Sequence, residues 1–351
     1  MIIITGGAGF IGSNFVRNWL STVNEEVLII DSLTYAGNLL NFSGMHKSDF
    51  LKFEKIDITD KDSISNAIQK VLPRAIIHLA AESHVDRSIH NPLSFVQTNI
   101  LGTYILLDAS RQYWNNLNTT AKNAFRFIHV STDEVYGSLS LTDHPFTENN
   151  PYRPNSPYAA SKASSDHLVR SYFSTYGMPV ITTNCSNNYG PYQFPEKLIP
   201  LIIHNALTGL KIPIYGDGKQ IRDWLYVGDH CNALYKVLEK GNPGETYNIG
   251  GSNEKENIEV VRAICKILDH LKPKLEGGSY IDQIAFVKDR PGHDRRYAID
   301  STKIQNELDW LPLETFESGL NKTVEWYLGN AHWIESVVSG EYQSWVTLNY
   351  E

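Results

Sequence analysis

The chain has 351 residues, 42% of them hydrophobic and 20% charged. At about 150 residues per domain, that length predicts roughly two domains, or one large α/β domain with an elaboration. The composition excludes a disordered or fibrous chain. A net charge of −8 also excludes the broad basic footprint that nucleic-acid or membrane-surface binding requires, though not a local basic pocket for a small anion.

The chain opens directly on Met1-Ile2-Ile3-Ile4, with no charged leader and no apolar stretch of spanning length. Cys185, Cys231 and Cys265 lie far apart. They read as small buried hydrophobes in a reducing compartment rather than as a disulfide or zinc framework. The twelve histidines do not gather at ligand spacings, so no metal site is expected. These features predict a cytoplasmic protein.

Short β-branched runs predict strands at Ile2–Thr5, Val27–Asp31, Phe53–Asp57, Ala75–Leu79, Phe127–Ser131 and Val180–Thr183. Helical spacing falls between them at Phe10–Leu20, Lys61–Val71, Ser94–Tyr113 and Ala159–Tyr176. Alternating strands and helices give right-handed crossovers, hence a doubly wound parallel sheet, the Rossmann class of α/β fold. After Tyr189 the prolines and glycines break this rhythm. Residues 190–223 and 250–351 are expected to form a smaller mixed α/β substrate domain. Residues 1–189, with a returning segment around 224–249, are expected to form the dinucleotide-binding domain.

Gly6, Gly9 and Gly12 follow the first strand and open the first helix. Small residues at such a turn let a pyrophosphate approach the backbone, and the helix N-terminus supplies N–H donors. A glycine pattern alone is weak evidence, but Asp31 stands 19 residues beyond Gly12 at the end of strand two. There a carboxylate accepts from a ribose 2′-hydroxyl and repels the extra phosphate of NADP, so NAD is the expected cofactor. Asp57 and Ile58, at the expected end of strand three, would bracket the adenine.

Ser156-Pro157 reads as a helix cap followed by a first-turn proline. Tyr158 and Lys162 then share one helical face. In isolation such a pair is equally a half-buried tyrosine beside a solvated lysine. Beside a nicotinamide it becomes a base, provided the phenol falls from about 10 toward 7, a shift of about 4 kcal/mol. Thr132, Asp133 and Glu134 follow the fifth strand, at the carboxyl edge where ligands bind in this class. Two carboxyls in unlike surroundings can work as acid and base together.

These residues, with the segments Asp31–Asn38, Ala80–Asp86, Ser131–Gly137, Asn187–Pro191, Gln193–Lys197 and Asp289–Tyr297, resemble the extended short-chain dehydrogenase/reductase superfamily. Within it they resemble the dTDP-glucose 4,6-dehydratase family over nearly the whole chain. The resemblance implies an NAD-dependent hydro-lyase of deoxysugar (rhamnose-type) biosynthesis and a homodimer joined through the Ser94–Tyr113 and Ala159–Tyr176 regions. It implies a catalytic set of Thr132, Asp133, Glu134, Tyr158 and Lys162. It adds Phe10, Ile11, Ser32, Leu33, Thr34, Leu79, Ala80, Ala81, Ser83, Thr98, Ser131 and Asn188 to the cofactor contacts. For the nucleotide sugar it implies Ser83, Thr132, Asn187, Lys197, Leu198, Pro213, Ile214, Tyr215, Asn257 and Tyr297, with Arg222, Arg290 and His293 as the cations for the diphosphate. His84, Asp86 and Arg87 are left between sugar and dimer contacts. A nucleotide-sugar 4-epimerase would not need the Asp133-Glu134 pair, and a non-catalytic NAD-binding regulator would need none of the five catalytic groups. A UDP-hexose 4,6-dehydratase stays open as the alternative that differs only in the base.

Overall fold

Alternate residues of the predicted strands face opposite ways and bury two cores. The computed structural model describes residues 1–45 and 48–338; residues 339–351 of the expected substrate domain lie outside them. Among the described residues the strands are β1 (Ile2–Thr5), β2 (Val27–Asp31), β3 (Leu51–Lys55), β4 (Ala75–His78), β5 (Arg126–Thr132), β6 (Val180–Cys185), β7 (Asn187–Tyr189), β8 (Ile212–Tyr215), β9 (Ile221–Tyr226), β10 (Thr246–Ile249), β11 (Glu254–Glu256) and β12 (Ile284–Val287). Seven form one sheet in the order β10-β6-β5-β4-β1-β2-β3, with every pair parallel. Ile2, Ile4, Ile29 and Ile128 pack on one face; Ile3, Leu28, Ile76 and Phe127 pack on the other.

Helices cover both faces, as a parallel sheet requires. Those that matter below are α1 (Phe10–Thr22), α2 (Lys61–Val71), α3 (Thr103–Asn115), α4 (Pro157–Tyr176), α5 (Leu198–Thr208), α6 (Val227–Lys240), α7 (Asn257–Leu271), α8 (Thr302–Leu308) and α9 (Phe316–Gly329). α1, α6 and α8 bring Trp19, Leu234 and Leu308 to the first core, whereas α2, α3 and α4 bring Ile64, Leu106 and Val169 to the second. A third core joins α5, α7 and α9 around Ile202, Val261 and Val324. It lies beside two small sheets, β11-β9-β7 and β12-β8. The chain leaves the large sheet at Cys185, enters a small one at Asn187, and returns to the large sheet's edge with β10.

Strand order reverses between β1 and β4, so the crevice at their carboxyl ends is the place for a ligand. Three expectations about this edge need correction. β3 spans Leu51–Lys55 rather than Phe53–Asp57, because Asp57 folds back to accept from the Thr59 amide and hydroxyl and makes a turn. The expected helix Ser94–Tyr113 is π-helical over Val96–Gly102. There the Asn99 amide crosses to Glu82 and Ser161, and a Cβ at Gly102 would meet Ile58 Cδ1 at 2.6 Å. β5 and β6 run to Thr132 and Cys185, one and two residues past their expected ends.

Ser156 caps α4 by accepting from the Ala159 amide, with Pro157 in the first turn. This cap fixes the turn that carries Tyr158. Ser156→Ala should cost about 1 kcal/mol of stability, read as a lower denaturation midpoint at unchanged slope.

Candidate active site

The glycine loop owes each glycine to a different cause. Gly6 has φ +68°, and a Cβ there would lie 2.5 Å from the Ala80 amide nitrogen. A Cβ at Gly12 would strike the Gly6 carbonyl at 2.3 Å, so this glycine seats α1 on the loop. Gly9 would meet only the Gly6 oxygen, at 3.3 Å. It caps α1 without a side-chain hydrogen bond. The amides of Phe10, Ile11 and Gly12 therefore lack side-chain partners at the cleft wall, a fit for pyrophosphate oxygens. Asp31 is buried at the end of β2. Its Oδ2 accepts from the Ala8 amide at 3.0 Å and its Oδ1 from the Leu33 amide at 2.8 Å. Burial raises its pKa and these two bonds oppose the rise. Each oxygen keeps a further lone pair for a ribose hydroxyl.

One cleft runs from this loop along the carboxyl edge. Of the residues expected to hold the cofactor it gathers Gly6, Gly9, Phe10, Ile11, Gly12, Asp31, Ser32, Thr34, Asp57, Ile58, Leu79, Ala80, Ala81, Ser83, Thr98, Ser131, Tyr158, Lys162 and Asn188. Leu33 is outside this lining and acts through its amide on Asp31, in a left-handed conformation. Thr132, Asp133, Glu134, Asn187 and Lys197 share the cleft. A cradle with dipolar amides at one end and a carboxylate at the ribose distance in sequence fits NAD.

Thr132 is the last residue of β5 and Asp133–Tyr136 coils into a short helical turn. The strand's alternation has thus ended before the two acids, so both can serve one cleft. Burial, then the neighbouring Glu134 and Asp223 charges, push Asp133 well above the ordinary carboxylate range. Burial raises Glu134 as well, and Arg290, Arg222 and Lys197 oppose that rise without reversing it. The surroundings thus favour the acid form more strongly at Asp133 than at Glu134, where the three cations favour the carboxylate.

Tyr158 departs from expectation. Burial and the Glu134 charge raise its phenol well above 10, and Lys162 is not turned on it. The Lys162 ammonium donates to the Val130 carbonyl at 2.9 Å, and burial lowers its pKa while Asp166 raises it. Lys162 thus grips the end of β5, and the protein alone keeps Tyr158 protonated.

The remaining expected substrate residues lie outside the lining of that cleft, on the small-sheet side. Leu198 opens α5, and Pro213, Ile214 and Tyr215 belong to β8. Arg222 stacks 4.3 Å over Tyr297 and donates to the Ile221 and Asp294 carbonyls. Arg290 pairs with Asp86 at 3.4 Å, while its buried Nη1 has no partner among the described residues. Asn257 Oδ1 is likewise buried without one. Unpartnered donors and acceptors at these positions suit a polar anionic ligand. His293 is not a third cation: burial and Arg290 push it down to about 4, against the opposing hydrogen bond to Asp289. It meets Asp289 Oδ1 at 2.6 Å.

Two groups were missed in the sequence. Glu196 is buried in the cleft, accepting from Tyr35 at 3.1 Å and Arg87 at 3.2 Å. The Arg87 guanidinium lies 3.7 Å over the Tyr35 ring. His84 caps the short helix after it, and Asp86 accepts from Tyr215, so this segment ties the halves of one chain together. Asp166, one turn past Lys162, binds His129 Nε2 at 3.0 Å and the Ser131 hydroxyl at 2.9 Å. Extending the Tyr158–Lys162 spacing by four would have found it.

The model of the family described as GDP-mannose 4,6 dehydratase matches residues 3–323. A dTDP-glucose 4,6-dehydratase of Shigella flexneri is 58% identical, the match covering 100% of this chain and 99% of that protein. One from Salmonella typhimurium is 59% identical with the same coverage. A crystal structure of the dTDP-glucose 4,6-dehydratase of Bacillus anthracis in complex with NAD superposes at TM-score 0.84 and 46% identity, over 96% of this chain and 99% of that one. A UDP-glucose 4-epimerase of Thermus thermophilus is more distant in sequence, 29% identical at TM-score 0.82 over 94% and 99%. The chain belongs to the dTDP-glucose 4,6-dehydratase family.

Proposed function

We propose that this chain is an NAD-dependent hydro-lyase that converts dTDP-glucose to dTDP-4-keto-6-deoxyglucose. The observation that carries the reading is the carboxyl pair at the end of β5, in one cleft with Tyr158: burial and two like charges favour a protonated Asp133, while three cations oppose the rise that burial gives Glu134. An epimerase needs no acid for water loss, and a binding module needs neither carboxyl.

Gly6, Gly9, Gly12 and Asp31 would hold NAD, which when bound would supply hydride acceptance from carbon 4, hydride return to carbon 6, and a positive charge in the cleft. With such a charge near, the Tyr158 phenol would release its proton to water as the cofactor binds, and the phenolate then takes the proton of the 4-hydroxyl while Thr132 hydrogen-bonds the 4-oxygen. The resulting ketone acidifies carbon 5. Glu134 removes its proton and Asp133 protonates the leaving 6-hydroxyl, so that water departs. Glu134 then returns a proton to carbon 5. Lys162 holds the end of β5 through Val130 and keeps positive charge near the base. Residues 1–189 and 224–249 carry the cofactor half of this site, and 190–223 with 250–351 carry the nucleotide-sugar half. Arg222 and Arg290 serve the diphosphate, and His293 adds a neutral hydrogen bond.

The finer assignments follow the same reading. Exposed Leu93, Val96, Leu101 and Tyr104, with Phe173 and Tyr176 on α4, support a homodimer through those helices. Among the described residues no helix is long and apolar enough to cross a membrane, and the three cysteines are free and buried, which supports a cytoplasmic location. The product suits a 6-deoxysugar route of the rhamnose type.

A panel of dTDP- and UDP-hexoses, read by the alkaline absorbance of the 4-keto-6-deoxy product, tests the activity. Turnover of dTDP-glucose without added NAD is the expected result, and turnover of UDP-glucose alone would overturn the choice of base. Asp31→Ala should weaken NAD binding more than NADP binding, as measured by cofactor titration; an unchanged ratio removes Asp31 from the ribose. Tyr158→Phe should lower oxidation at carbon 4 by about two to four orders of magnitude with cofactor content retained; near-normal rates would mean another base. Glu134→Gln and Asp133→Asn should still show substrate-dependent absorbance of reduced nicotinamide while product formation falls by about two orders of magnitude or more. Product at normal rates from both variants would refute the elimination step.

A further inference from the structure

Asn188 lines the cleft just past the end of β6, and its side-chain amide is held at both ends. Its Nδ2 donates to the Ser186 carbonyl at 2.9 Å, and its Oδ1 lies 2.9 Å from His230 Nδ1. A carbonyl only accepts, so the Ser186 contact decides which end of the amide is nitrogen. Oδ1 then faces the imidazole, and His230 has to donate from Nδ1. The ring is fully buried, which pushes it down to about 3, so it is neutral and carries that one N–H. Its Nε2 is a buried lone pair with no partner among the described residues. The polar contact that His230 does make is the one that orients Asn188.

The fold puts this contact at one particular end of the cleft. β7 pairs with β9 at Asn188 and Leu225, and α6 begins at Val227, so its first turn carries His230 back to β7. Cys185 ends β6 opposite Thr132 of β5, whereas Asp31 ends β2, and the strand order between them is β6-β5-β4-β1-β2. Four strand spacings separate the two ends of the cleft by about 19 Å. An NAD whose adenosine ribose lies on Asp31 would bring its nicotinamide to the β6 end, where Asn188 stands. Nδ2 keeps a second hydrogen, for which the chain offers the Cys185 thiol, a weak acceptor. The carboxamide oxygen of a nicotinamide is a stronger one.

We propose that His230 is a positioning residue for the cofactor: by donating to Asn188 Oδ1 it turns that side chain so that an amide N–H, and not its carbonyl, meets the nicotinamide carboxamide. The inference rests on the reading of this cleft as an NAD site, and not on the identity of the sugar. Without the imidazole N–H, Asn188 Oδ1 loses its donor and the amide is no longer held to one orientation.

ADP-ribose separates this role from packing, because it keeps the adenosine, the pyrophosphate and the second ribose but lacks the nicotinamide. The full-length protein, freed of bound nucleotide, is titrated with NAD and with ADP-ribose. His230→Leu fills a similar volume without a donor; it should weaken NAD about tenfold and leave ADP-ribose within about twofold. His230→Asn puts an amide nitrogen where Nδ1 was and should hold NAD within about threefold of the unaltered chain. His230→Gln, whose amide reaches the Nε2 side, should resemble leucine. The loss caused by His230→Leu should disappear in an Asn188→Ala background. Equal weakening of both ligands, glutamine binding NAD better than asparagine, or additive losses in the double variant would make His230 a packing residue and overturn the proposal. Should the leucine variant not fold, the comparison of asparagine with glutamine still decides. None of these outcomes bears on turnover of dTDP-glucose, whereas an unaltered chain that bound neither ligand would sink the NAD reading itself.

Discussion

Two adjacent carboxyl groups in a poorly hydrated cleft cannot both be charged at low cost, and the surroundings of Asp133 and Glu134 are arranged by that conflict. Their separation in pKa is not built from the residues themselves, which are neighbours in sequence. It comes from asymmetric company. Asp133 is raised by the Glu134 and Asp223 charges with only Arg222 against them, whereas Glu134 has Arg290, Arg222 and Lys197 opposing its rise. The three cations come from β9, the start of α5 and the loop after β12, all outside the large sheet. The sheet can place the acids, but only the small-sheet half can decide which of them is protonated. This is a physical reason for two halves meeting at the end of β5.

That meeting is held by buried polar contacts rather than by apolar surface alone. The Arg87–Glu196 pair, capped by Tyr35, connects the loop after β2, the segment after β4 and the entry to α5. Lys197 adds a 2.8 Å bond to the Ser83 carbonyl. On the inner side, Asp166 binds His129 and Ser131 from α4, clamping the strand that leads into Asp133 and Glu134. A buried charge removed from such a network leaves its partner unpaired, which costs more than the pair contributes. The site's geometry is therefore tied to the fold's own polar core.

Legibility in the sequence followed the range of the interaction. Lys61–Val71 and β1 were predicted to the residue because helical or strand spacing and local caps determine them, with Asp60 accepting from the Ser63 amide to start α2. The cofactor cradle was legible for the same reason: its glycines and Asp31 belong to one βα unit. The end of β3 was misplaced because a local Asp57–Thr59 turn outcompeted an edge strand with only one neighbour. The π-helical turn answers to contacts with Glu82, Ser161 and Ile58, none of them local. The protonation of His293, the partner of Lys162 and the role of Glu196 all depend on groups brought in from elsewhere in the fold, and no spacing encodes them.

The state of Tyr158 shows what such long-range contacts change. The sequence suggests a lysine lowering a neighbouring phenol, but the Lys162 ammonium is committed to the Val130 carbonyl, while burial and Glu134 act in the opposite direction. A phenol that the protein's own groups keep protonated is not a base for any hydroxyl that enters. On the proposed reading, positive charge brought by the oxidised cofactor would lower it, so that base strength and hydride acceptance would arise together. The same logic applies to Asp133, whose proton is favoured by burial beside the Glu134 charge. Both groups are thus set by the charge beside them, and Glu134, which raises the phenol and the Asp133 carboxyl alike, couples the two.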